Sequence, residues 1–251
     1  MLAILRVRGA VRVEGLASEL RVSGMTVRRD IDALVQEGLV KRVRGGVAAA
    51  DGTAPSSQLD AAIQRRRLEK LAITELAAEM VEPGMAVGLS AGSTTWYLAK
   101  QLVKIPNVTI ITNSLAVADL FEEAQDAAEI GTSVVLTGGV RTPGRALVGP
   151  VAVRTLAYLH CDLTFLSVHG IHPEAGLTTP NILEAETNRA LAASGRRTVV
   201  VADHTKWQAV SLTTVIDLDA VDLLVTDDGL TELEANEVRA LVPDLRIATL
   251  R

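Results

Sequence analysis

The chain has 251 residues, 48% of them apolar but only 2% aromatic, so its core must consist of Leu, Val, Ile and Ala. No apolar run reaches the roughly 18 residues that cross a bilayer, and the first residues are charged too early for a secretory signal. The single cysteine, Cys161, excludes a disulfide framework and a cysteine-based zinc cluster. We therefore expect a cytoplasmic protein with no bound metal or cofactor.

Basic and acidic side chains are unevenly distributed along the chain. Residues 1–50 carry nine Lys/Arg against five Asp/Glu, a net charge of +4, so the other 201 residues must carry −9 to give the overall −5. A basic head on an acidic body indicates that only the head meets a polyanion, although an ordinary solvated surface would give the same counts.

Apolar spacing in the head predicts two short helices separated by a turn. The first covers residues 14–20, and the second begins near Met25 and ends near Glu37. Ser23 lies just before the second helix, where its hydroxyl can accept a backbone N–H bond as a cap. One face of the second helix carries a stripe that predicts burial, formed by Val27, Ile31 and Leu34.

The start of the second helix and the segment after it carry residues that suit DNA. Polar and basic side chains lie where a recognition helix enters the major groove. Residues 39–47 predict a β-hairpin with a Gly-Gly turn, whose basic side chains suit a wing that lies on phosphates. A three-helix protein-interaction module with a solvated basic face is the alternative. The predicted DNA-binding residues are Ser23, Met25, Thr26, Arg28, Arg29, Lys41, Arg42 and Arg44.

A stretch of small and polar residues, 45–58, is punctuated by Gly and Pro and predicts a linker. The predicted domains are a DNA-binding domain over residues 1–48, a linker over residues 49–58 and an α/β domain over residues 59–251. Directly after the linker, residues 59–80 predict one long helix that ends before Pro83.

Apolar strands and helices alternate through the body. Strands are predicted at residues 85–89, 108–111, 133–136, 163–168, 198–202 and 222–225, and helices at residues 95–103, 115–123 and 182–194. This order implies a mostly parallel sheet with helices on both faces, the architecture of an α/β fold. Ligands bind such sheets at the carboxyl ends of the strands.

Small and polar loops follow those strand ends. Residues 90–95 can surround an anion with backbone N–H groups at a helix N-terminus, although such turns also serve only as helix caps. Lys206 can pair with a phosphate, while Asp203 and Asn113 can bond sugar hydroxyls. His169 fits a packed histidine as well as a ligand. The predicted effector-binding residues are Ser90, Ala91, Gly92, Ser93, Thr94, Thr95, Thr112, Asn113, Ser114, Gly138, Gly139, Arg145, His169, Gly170, Asp203 and Lys206.

Two runs in the head form one long and specific motif. They are Leu-Ala-Ser-Glu-Leu-Arg-Val-Ser-Gly-Met-Thr-Val-Arg-Arg-Asp-Ile-Asp-Ala-Leu at residues 16–34 and Glu-Gly-Leu-Val-Lys-Arg-Val-Arg-Gly-Gly at residues 37–46. With this motif the head resembles the DNA-binding domain of the DeoR family of repressors. The resemblance implies a winged helix-turn-helix. The family usually has His where Arg44 stands, which makes this wing more basic. Family members also have several residues before the position of Met1, which leaves a start of translation upstream of Met1 open.

Six short motifs occur through the body: Gly-Ser-Thr-Thr at residues 92–95, Ile-Thr-Asn-Ser at 111–114, Leu-Thr-Gly-Gly at 136–139, Gly-Leu-Thr-Thr at 176–179, Glu-Ala-Glu at 184–186 and Ala-Asp-His-Thr-Lys at 202–206. With these motifs the body resembles the C-terminal sensor domain of the same family. This resemblance implies a Rossmann-like sheet akin to ribose-5-phosphate isomerase and the CoA transferases, with a phosphorylated sugar as the effector. The chain departs from the family at Ser90 and His169, where Asp is common, and at Asn188, where a basic residue is common, which indicates an atypical effector.

The residues and the resemblance together predict a sequence-specific repressor of a sugar-metabolism operon, controlled by a phosphorylated sugar. Its expected partners are operator DNA, that sugar phosphate and further copies of itself in a homodimer or higher homo-oligomer, with no membrane. Two alternatives stay open. One is a sugar-phosphate isomerase on the same fold, which would need a general base such as Asp203. The other is a scaffold whose body only dimerises the head.

Overall fold

The computed structural model describes residues 10–20, 22–36, 40–43, 46–49, 58–124 and 131–250. The chain divides into two compact units, Met1–Gln64 and Arg65–Arg251. The division lies after the predicted linker, and linker residues 50–57 lie outside the described part of the chain. The extents of the DNA-binding domain and of the linker therefore stay predictions.

The first unit contains three strands and three helices among its described residues. The strands form an antiparallel sheet in the order β1-β3-β2. Both predicted helices are confirmed, whereas β1 was not predicted because three residues cannot show an alternating pattern. The elements are β1 (Ala10–Arg12), α1 (Val13–Leu20), α2 (Gly24–Gln36), β2 (Val40–Val43), β3 (Gly46–Ala49) and α3 (Gln58–Gln64).

Gly46 belongs to a strand and not to a Gly-Gly turn. It pairs with Arg12 on one side and with Val43 on the other, and residues 44–45 lie outside the described residues. A Cβ at Gly46 would lie 2.3 Å from the carbonyl oxygen of Val11. The central strand therefore needs glycine for a close backbone approach, and the prediction that Gly46 lies in the turn was wrong.

A small apolar core joins α1 and α2 to the hairpin of β2 and β3. Val27 and Ile31 of the predicted stripe are buried in it, and Leu34 is partly buried against it. Because α2 turns this stripe inward, the opposite side of the helix faces solvent. The buried members of the core are Leu16, Val27, Ile31, Val40 and Val47.

The second unit is built on a seven-stranded sheet. Short 3-10 helices follow β12 at His204–Lys206 and precede β14 at Leu218–Ala220. The elements are α4 (Arg67–Ala78), β4 (Ala86–Leu89), α5 (Ser93–Leu102), β5 (Thr109–Thr112), α6 (Leu115–Glu123), β6 (Ser133–Leu136), β7 (Val140–Arg141), β8 (Leu147–Val148), α7 (Pro150–Leu156), β9 (Leu163–Leu166), β10 (Gly170–His172), β11 (Gly176–Thr179), α8 (Ile182–Ser194), β12 (Thr198–Val201), β13 (Thr213–Thr214), β14 (Leu223–Asp227), α9 (Glu232–Leu241) and β15 (Leu245–Ala248).

Every strand pair of the main sheet is parallel, so the predicted α/β fold is confirmed. The strand order is β15-β14-β12-β9-β4-β5-β6. From β4 the chain first adds β5 and β6 on one side and then crosses back to β9 on the other side. The topological switch point, where sheets of this kind bind ligands, therefore lies at the carboxyl ends of β4 and β9.

The six predicted strands are present, with ends shifted by at most two residues. Among the strands, three features were not predicted: the edge strand β15, the antiparallel sheet in the order β10-β11-β13, and the hairpin of β7 with β8. Helices α7 and α9 were not predicted either. The strands of the two smaller sheets have between two and four residues. Runs this short carry little periodic signal.

The predicted long helix over residues 59–80 is broken into α3 and α4. Arg66, between them, takes the left-handed conformation with φ 52° and ψ 44°. This conformation costs a non-glycine residue about 1–2 kcal/mol, so contacts nearby must hold it. The sequence has neither Gly nor Pro at the break, and the prediction of one helix was wrong because the apolar spacing continues across it.

Apolar side chains fill both faces of the main sheet. Helices α4, α5 and α6 pack on one face through residues such as Ile73 and Leu98. Helices α7, α8 and α9 pack on the other face through residues such as Leu156 and Leu191. Within the described residues, none of the helices combines the length and the apolar character that a membrane span requires.

We expect a fragment that begins at Arg65 to fold on its own, because both core layers lie within the second unit. Its thermal unfolding should be one cooperative transition, and its far-ultraviolet circular dichroism should keep the signature of an α/β protein. A fragment that unfolds without cooperativity would show that the second unit depends on the head.

Candidate DNA-binding and effector sites

The start of α2 is fixed by the predicted hydroxyl cap. The backbone N–H of Thr26 donates to Ser23 Oγ at 3.1 Å, and the two hydroxyl oxygens lie 2.8 Å apart. This bond satisfies one of the N–H groups that a helix start leaves without a partner. The first turn of α2 therefore has a defined position at the surface.

Four of the predicted DNA-binding residues lie on the solvent side of α2. Met25 is 79% exposed. Thr26, Arg28 and Arg29 are exposed as well, whereas Val27 between them is buried. Two arginines beside small polar and apolar side chains on an exposed helix start suit the reading of base edges in a major groove. Contact of these residues with DNA stays a prediction.

The hairpin of β2 and β3 presents Arg42 on its surface. The Arg42 guanidinium is ion-paired with Asp32 of α2, a residue outside the predicted site, and both side chains stay more than half exposed. Exposed ion pairs contribute little, so an incoming phosphate can take the place of the carboxylate. Lys41 lies in β2, but its side chain and the whole of Arg44 lie outside the described residues.

Ser90 joins the carboxyl ends of β4 and β9 at the switch point. Its side chain is completely buried, and its Oγ accepts the backbone N–H of Ser167 at 2.9 Å. Two residues later, a Cβ on Gly92 would lie 2.5 Å from the Ser167 Cβ. Ser90 therefore holds the two strand ends together, and the loop needs glycine at position 92 to pass Ser167.

Helix α5 begins at this loop without a capping side chain. Its N-cap residue is Gly92, whereas Ser114 caps α6 by accepting a backbone N–H at 3.2 Å. Thr94 and Thr95 are buried in the first turn of α5, and Ser93 is half-buried. The first N–H groups of α5 are left for a ligand or water, and the helix dipole favours an anion there.

Residues 90–95 form what we call the anion loop. The loop after β5 supports them. Asn113 is completely buried; its Oδ1 accepts the N–H of Ala91 at 2.8 Å, and its Nδ2 donates to the carbonyl of Leu147 at 3.3 Å. The hydroxyl of Thr112, also completely buried, donates to the carbonyl of Leu89 at 2.7 Å. Thr112 and Asn113 therefore lie next to the anion loop, and their polar side-chain atoms already bond protein backbone groups.

The predicted residues after β6 build the hairpin of β7 and β8. Gly138 and Gly139 have φ angles of 69° and 116°, and a Cβ on Gly139 would lie 2.5 Å from the carbonyl oxygen of Val148. Arg145 has a φ of 62°, and its guanidinium is ion-paired with Asp119 of α6. The hairpin turn is therefore tied to α6, and the charge of Arg145 is shared with a protein carboxylate.

Asp203, Lys206 and His169 come together at the carboxyl ends of β9 and β12. Asp203 is 4% exposed and accepts bonds from the N–H and the hydroxyl of Thr205. Lys206 is half-buried. Desolvation by the surrounding protein and the positive charge of Lys206 lower the pKa of His169, whose Nδ1 lies 3.3 Å from the Thr179 hydroxyl.

Two close contacts position the loop that carries Lys206. A Cβ on Gly170 would lie 2.1 Å from the carbonyl oxygen of Ala209, so glycine at the start of β10 lets the loop approach. His204, in the same loop, has its Nδ1 2.6 Å from Oδ2 of the completely buried Asp227. These contacts join the loop to β10 and β14.

Two charged residues outside the predicted site, Glu184 and Lys70, also lie near the carboxyl edge of the sheet. Burial raises the pKa of Glu184 in α8, although hydrogen bonds with Thr142 and Thr179 oppose the rise. Lys70 in α4 is 4% exposed, and burial is the main reason why its pKa falls to about 8, while charged groups after β12 also act on it. Glu184 belongs to the Glu-Ala-Glu motif at residues 184–186. Lys70 lies in a helix, and nothing in the sequence around it indicates a binding residue.

The anion loop and the charged loop after β12 are close enough for one small ligand. Strand β9 lies between β4 and β12. The two loops are therefore separated by two strand spacings, or about 10 Å. Within the part of the chain that the structure describes, no group of three or more His, Cys, Asp or Glu residues is placed to hold a metal ion.

Both units match models of one protein family. Residues 1–53 match the DeoR-like helix-turn-helix domain, and residues 65–228 match the DeoR C terminal sensor domain. The uncharacterized HTH-type transcriptional regulator YgbI of Escherichia coli (strain K12) is 35% identical over 237 residues, which cover 94% of this chain and 89% of that protein. A putative aga operon transcriptional repressor of Escherichia coli O157:H7 is 32% identical over 235 residues, which cover 90% of this chain and 83% of that protein.

Among solved structures, ribose 5-phosphate isomerase A from Methanocaldococcus jannaschii shares 18% identity at a TM-score of 0.40, over 57% of this chain and 55% of that chain. A TM-score of this size does not indicate a shared function. The family matches cover both units, and the two relatives named above are similar to the chain over most of its length. The chain therefore belongs to the DeoR family of transcription regulators.

Proposed function

We propose that the chain is a cytoplasmic transcription repressor of a sugar-metabolism operon, and that a phosphorylated sugar controls its binding to operator DNA. Membership of a regulator family supports the DNA-binding role, and the relative from Escherichia coli O157:H7 is named as an operon repressor. The exposed side of α2 and Arg42 on the hairpin supply groups that this role needs. A homodimer or higher homo-oligomer would set two recognition helices on repeated half-sites.

The effector site in this proposal is the carboxyl edge of the main sheet. The observation that carries it is the uncapped start of α5, two strands away from Lys206. The phosphate binds the first N–H groups of α5 and the ammonium of Lys206, which reaches across from its loop. The sugar then extends toward Asp203 and Glu184, whose carboxyl groups can bond its hydroxyls.

Control of DNA binding requires two states of the protein. A sugar phosphate shifts the equilibrium only if it binds one state more tightly than the other. In the proposed cycle, the state without effector holds the operator, and the state with effector releases it. The departure at Ser90 fits a site in which the sugar makes no contact with an acid after β4, because Ser90 is buried and bonded to Ser167.

A thermal-shift screen of pentose and hexose phosphates tests the proposal. At least one phosphorylated sugar should raise the melting temperature, because a ligand at 100 times its Kd stabilises the folded state by about 2.7 kcal/mol. The same sugar without phosphate should leave the melting temperature almost unchanged. Incubation with these compounds should give no isomerised product, and turnover would favour the isomerase instead. A screen without any hit would contradict the effector site.

Arg42→Ala is expected to weaken binding to all DNA sequences alike and to reduce the slope of log K against log salt by about one. The reason is the loss of one phosphate contact and of the counterions that it releases. Asp32→Asn should act in the opposite direction, because it frees the guanidinium from its carboxylate. Fluorescence anisotropy with operator and unrelated DNA at several salt concentrations measures both effects. A loss confined to the operator would mean that Arg42 reads a base.

A further inference from the structure

A buried lysine holds the turn at which the second unit begins. Lys70, near the start of α4, is 4% exposed, and its ammonium donates to the carbonyl oxygen of Arg65 at 2.5 Å. Arg66 takes the left-handed conformation next to that carbonyl, and its guanidinium bonds Glu69 at 2.9 Å. The charged end of Lys70 therefore supports the break between α3 and α4, through which the chain passes from one unit to the other.

The same ammonium lies in the electric field of the proposed effector site. Arg65 and Glu69 act on Lys70 from its own segment, and Asp203 and Lys206 act on it from the loop after β12. Burial is the largest effect on the pKa of this lysine, which falls to about 8. At neutral pH the ammonium is therefore mostly protonated, and burial of its charge carries a free-energy cost that added negative charge nearby would offset.

Charged groups of both signs surround the ammonium of Lys70 at this edge. Asp203 acts on Lys70 and lies in the same loop as Lys206, while Asp227, the last residue of β14, acts on the neighbouring Arg66. A phosphate dianion beside Lys206 would add two negative charges near the Lys70 ammonium. It would also compete with the neutral carbonyl that now accepts from Lys70, because a bond between opposite charges adds Coulomb attraction to the hydrogen bond.

We propose that Lys70 carries effector binding to the junction of the two units: its ammonium moves from the Arg65 carbonyl to the bound phosphate and releases the turn at Arg66. A left-handed residue other than glycine is held against its own preference, so the turn rearranges when that bond is lost. This role rests on the proposed function, because it needs a phosphate beside Lys206.

Lys70→Met and Lys70→Arg in the full-length chain test this role, with exposed Lys104→Met as the matched control. Inorganic phosphate is the probe, titrated calorimetrically at pH 8 in buffers of different ionisation enthalpy. The wild type and Lys104→Met should take up about half a proton more on binding than Lys70→Met, because a group with a pKa of about 8 is half protonated there and becomes fully protonated beside the anion.

The two Lys70 variants should differ from each other in a defined way. Lys70→Met should bind phosphate about tenfold or more weakly, as expected for the loss of a bond to a charged group. Lys70→Arg should keep most of the affinity but lose the proton uptake, because a guanidinium stays charged at pH 8. Circular dichroism should show both variants folded, since methionine removes a buried charge and arginine keeps one.

A DNA-release measurement tests the transmission itself. At phosphate concentrations that saturate each protein, the wild type should lose affinity for an operator fragment selected from random DNA, and Lys70→Met should stay bound. The role of Lys70 would be overturned if Lys70→Met bound phosphate with the affinity and proton uptake of the wild type. It would also be overturned if saturating phosphate released this variant from the operator as it releases the wild type. Either result would leave the phosphate site standing. A wild type that binds no phosphate would overturn both this role and the proposed phosphate site.

Discussion

Lys206→Ala is expected to weaken binding of the effector sugar phosphate by about 1.5–3 kcal/mol, or roughly 10- to 150-fold, the range for hydrogen bonds to charged groups. Lys206 is half-buried, and after burial its charge is the second cause that lowers the pKa of His169, so this charge already acts within the site. Isothermal titration with the sugar phosphate found in the thermal-shift screen measures the loss. In cells, the variant should give repression that the inducing sugar cannot lift.

Three comparisons make this result specific. Lys100→Ala, at an exposed lysine of α5, should leave effector affinity unchanged. Thr94→Val, in the buried first turn of α5, should cause a smaller loss than Lys206→Ala, because it removes a neutral hydroxyl. The unphosphorylated sugar should bind weakly to the wild type and to Lys206→Ala alike. Equal affinity of the wild type and Lys206→Ala for the sugar phosphate would show that the loop after β12 does not bind the phosphate.

Arg28→Ala and Arg29→Ala are each expected to weaken operator binding by about 1–3 kcal/mol if the side chain reads a base. Both side chains are exposed on α2, whose first turn is fixed by the cap from Ser23. A base contact is lost only on the operator, so affinity for unrelated DNA should fall much less. Fluorescence anisotropy with the operator and a scrambled fragment measures this difference in specificity.

Arg154→Ala, at an exposed arginine of α7, is the matched control and should bind the operator as the wild type does. Thermal unfolding of all three variants should stay close to that of the wild type, because exposed substitutions have small effects on stability. Operator binding that is unchanged in both Arg28→Ala and Arg29→Ala would remove α2 from the DNA interface.

The central strands could be predicted from the sequence because they are buried on both faces. Leu163–Leu166 and Thr198–Val201 are buried at every position, so they form short apolar runs between polar loops. The edge strand β15 is half-exposed and contains Arg246, so it forms no such run. The break at Arg66 was missed for another reason: the backbone changes conformation there without Gly or Pro, and the apolar spacing of a helix continues past it.

The positions of the site loops could be predicted from the sequence, but the groups that each side chain contacts could not. Small polar residues after a strand look alike in sequence whether they meet a ligand or a neighbouring loop. The Asn113 amide bonds two backbone groups, and the Arg145 guanidinium pairs with Asp119. Lys70 gave no signal, because a lysine in an amphipathic helix ordinarily lies on the solvent face. Its burial depends on how α4 packs against the sheet.

Release of operator DNA by a sugar phosphate tests the proposed control most directly. The full-length protein is bound to a labelled operator fragment, and sugar phosphates and their unphosphorylated forms are added one at a time. We predict that at least one sugar phosphate lowers operator affinity about 5- to 150-fold, the usual range of coupling between two sites. The free sugar should have no effect, and Lys206→Ala should stay bound at the same concentration. Operator affinity that stays constant across the panel, or that falls equally with the free sugar, would contradict control by a phosphorylated sugar.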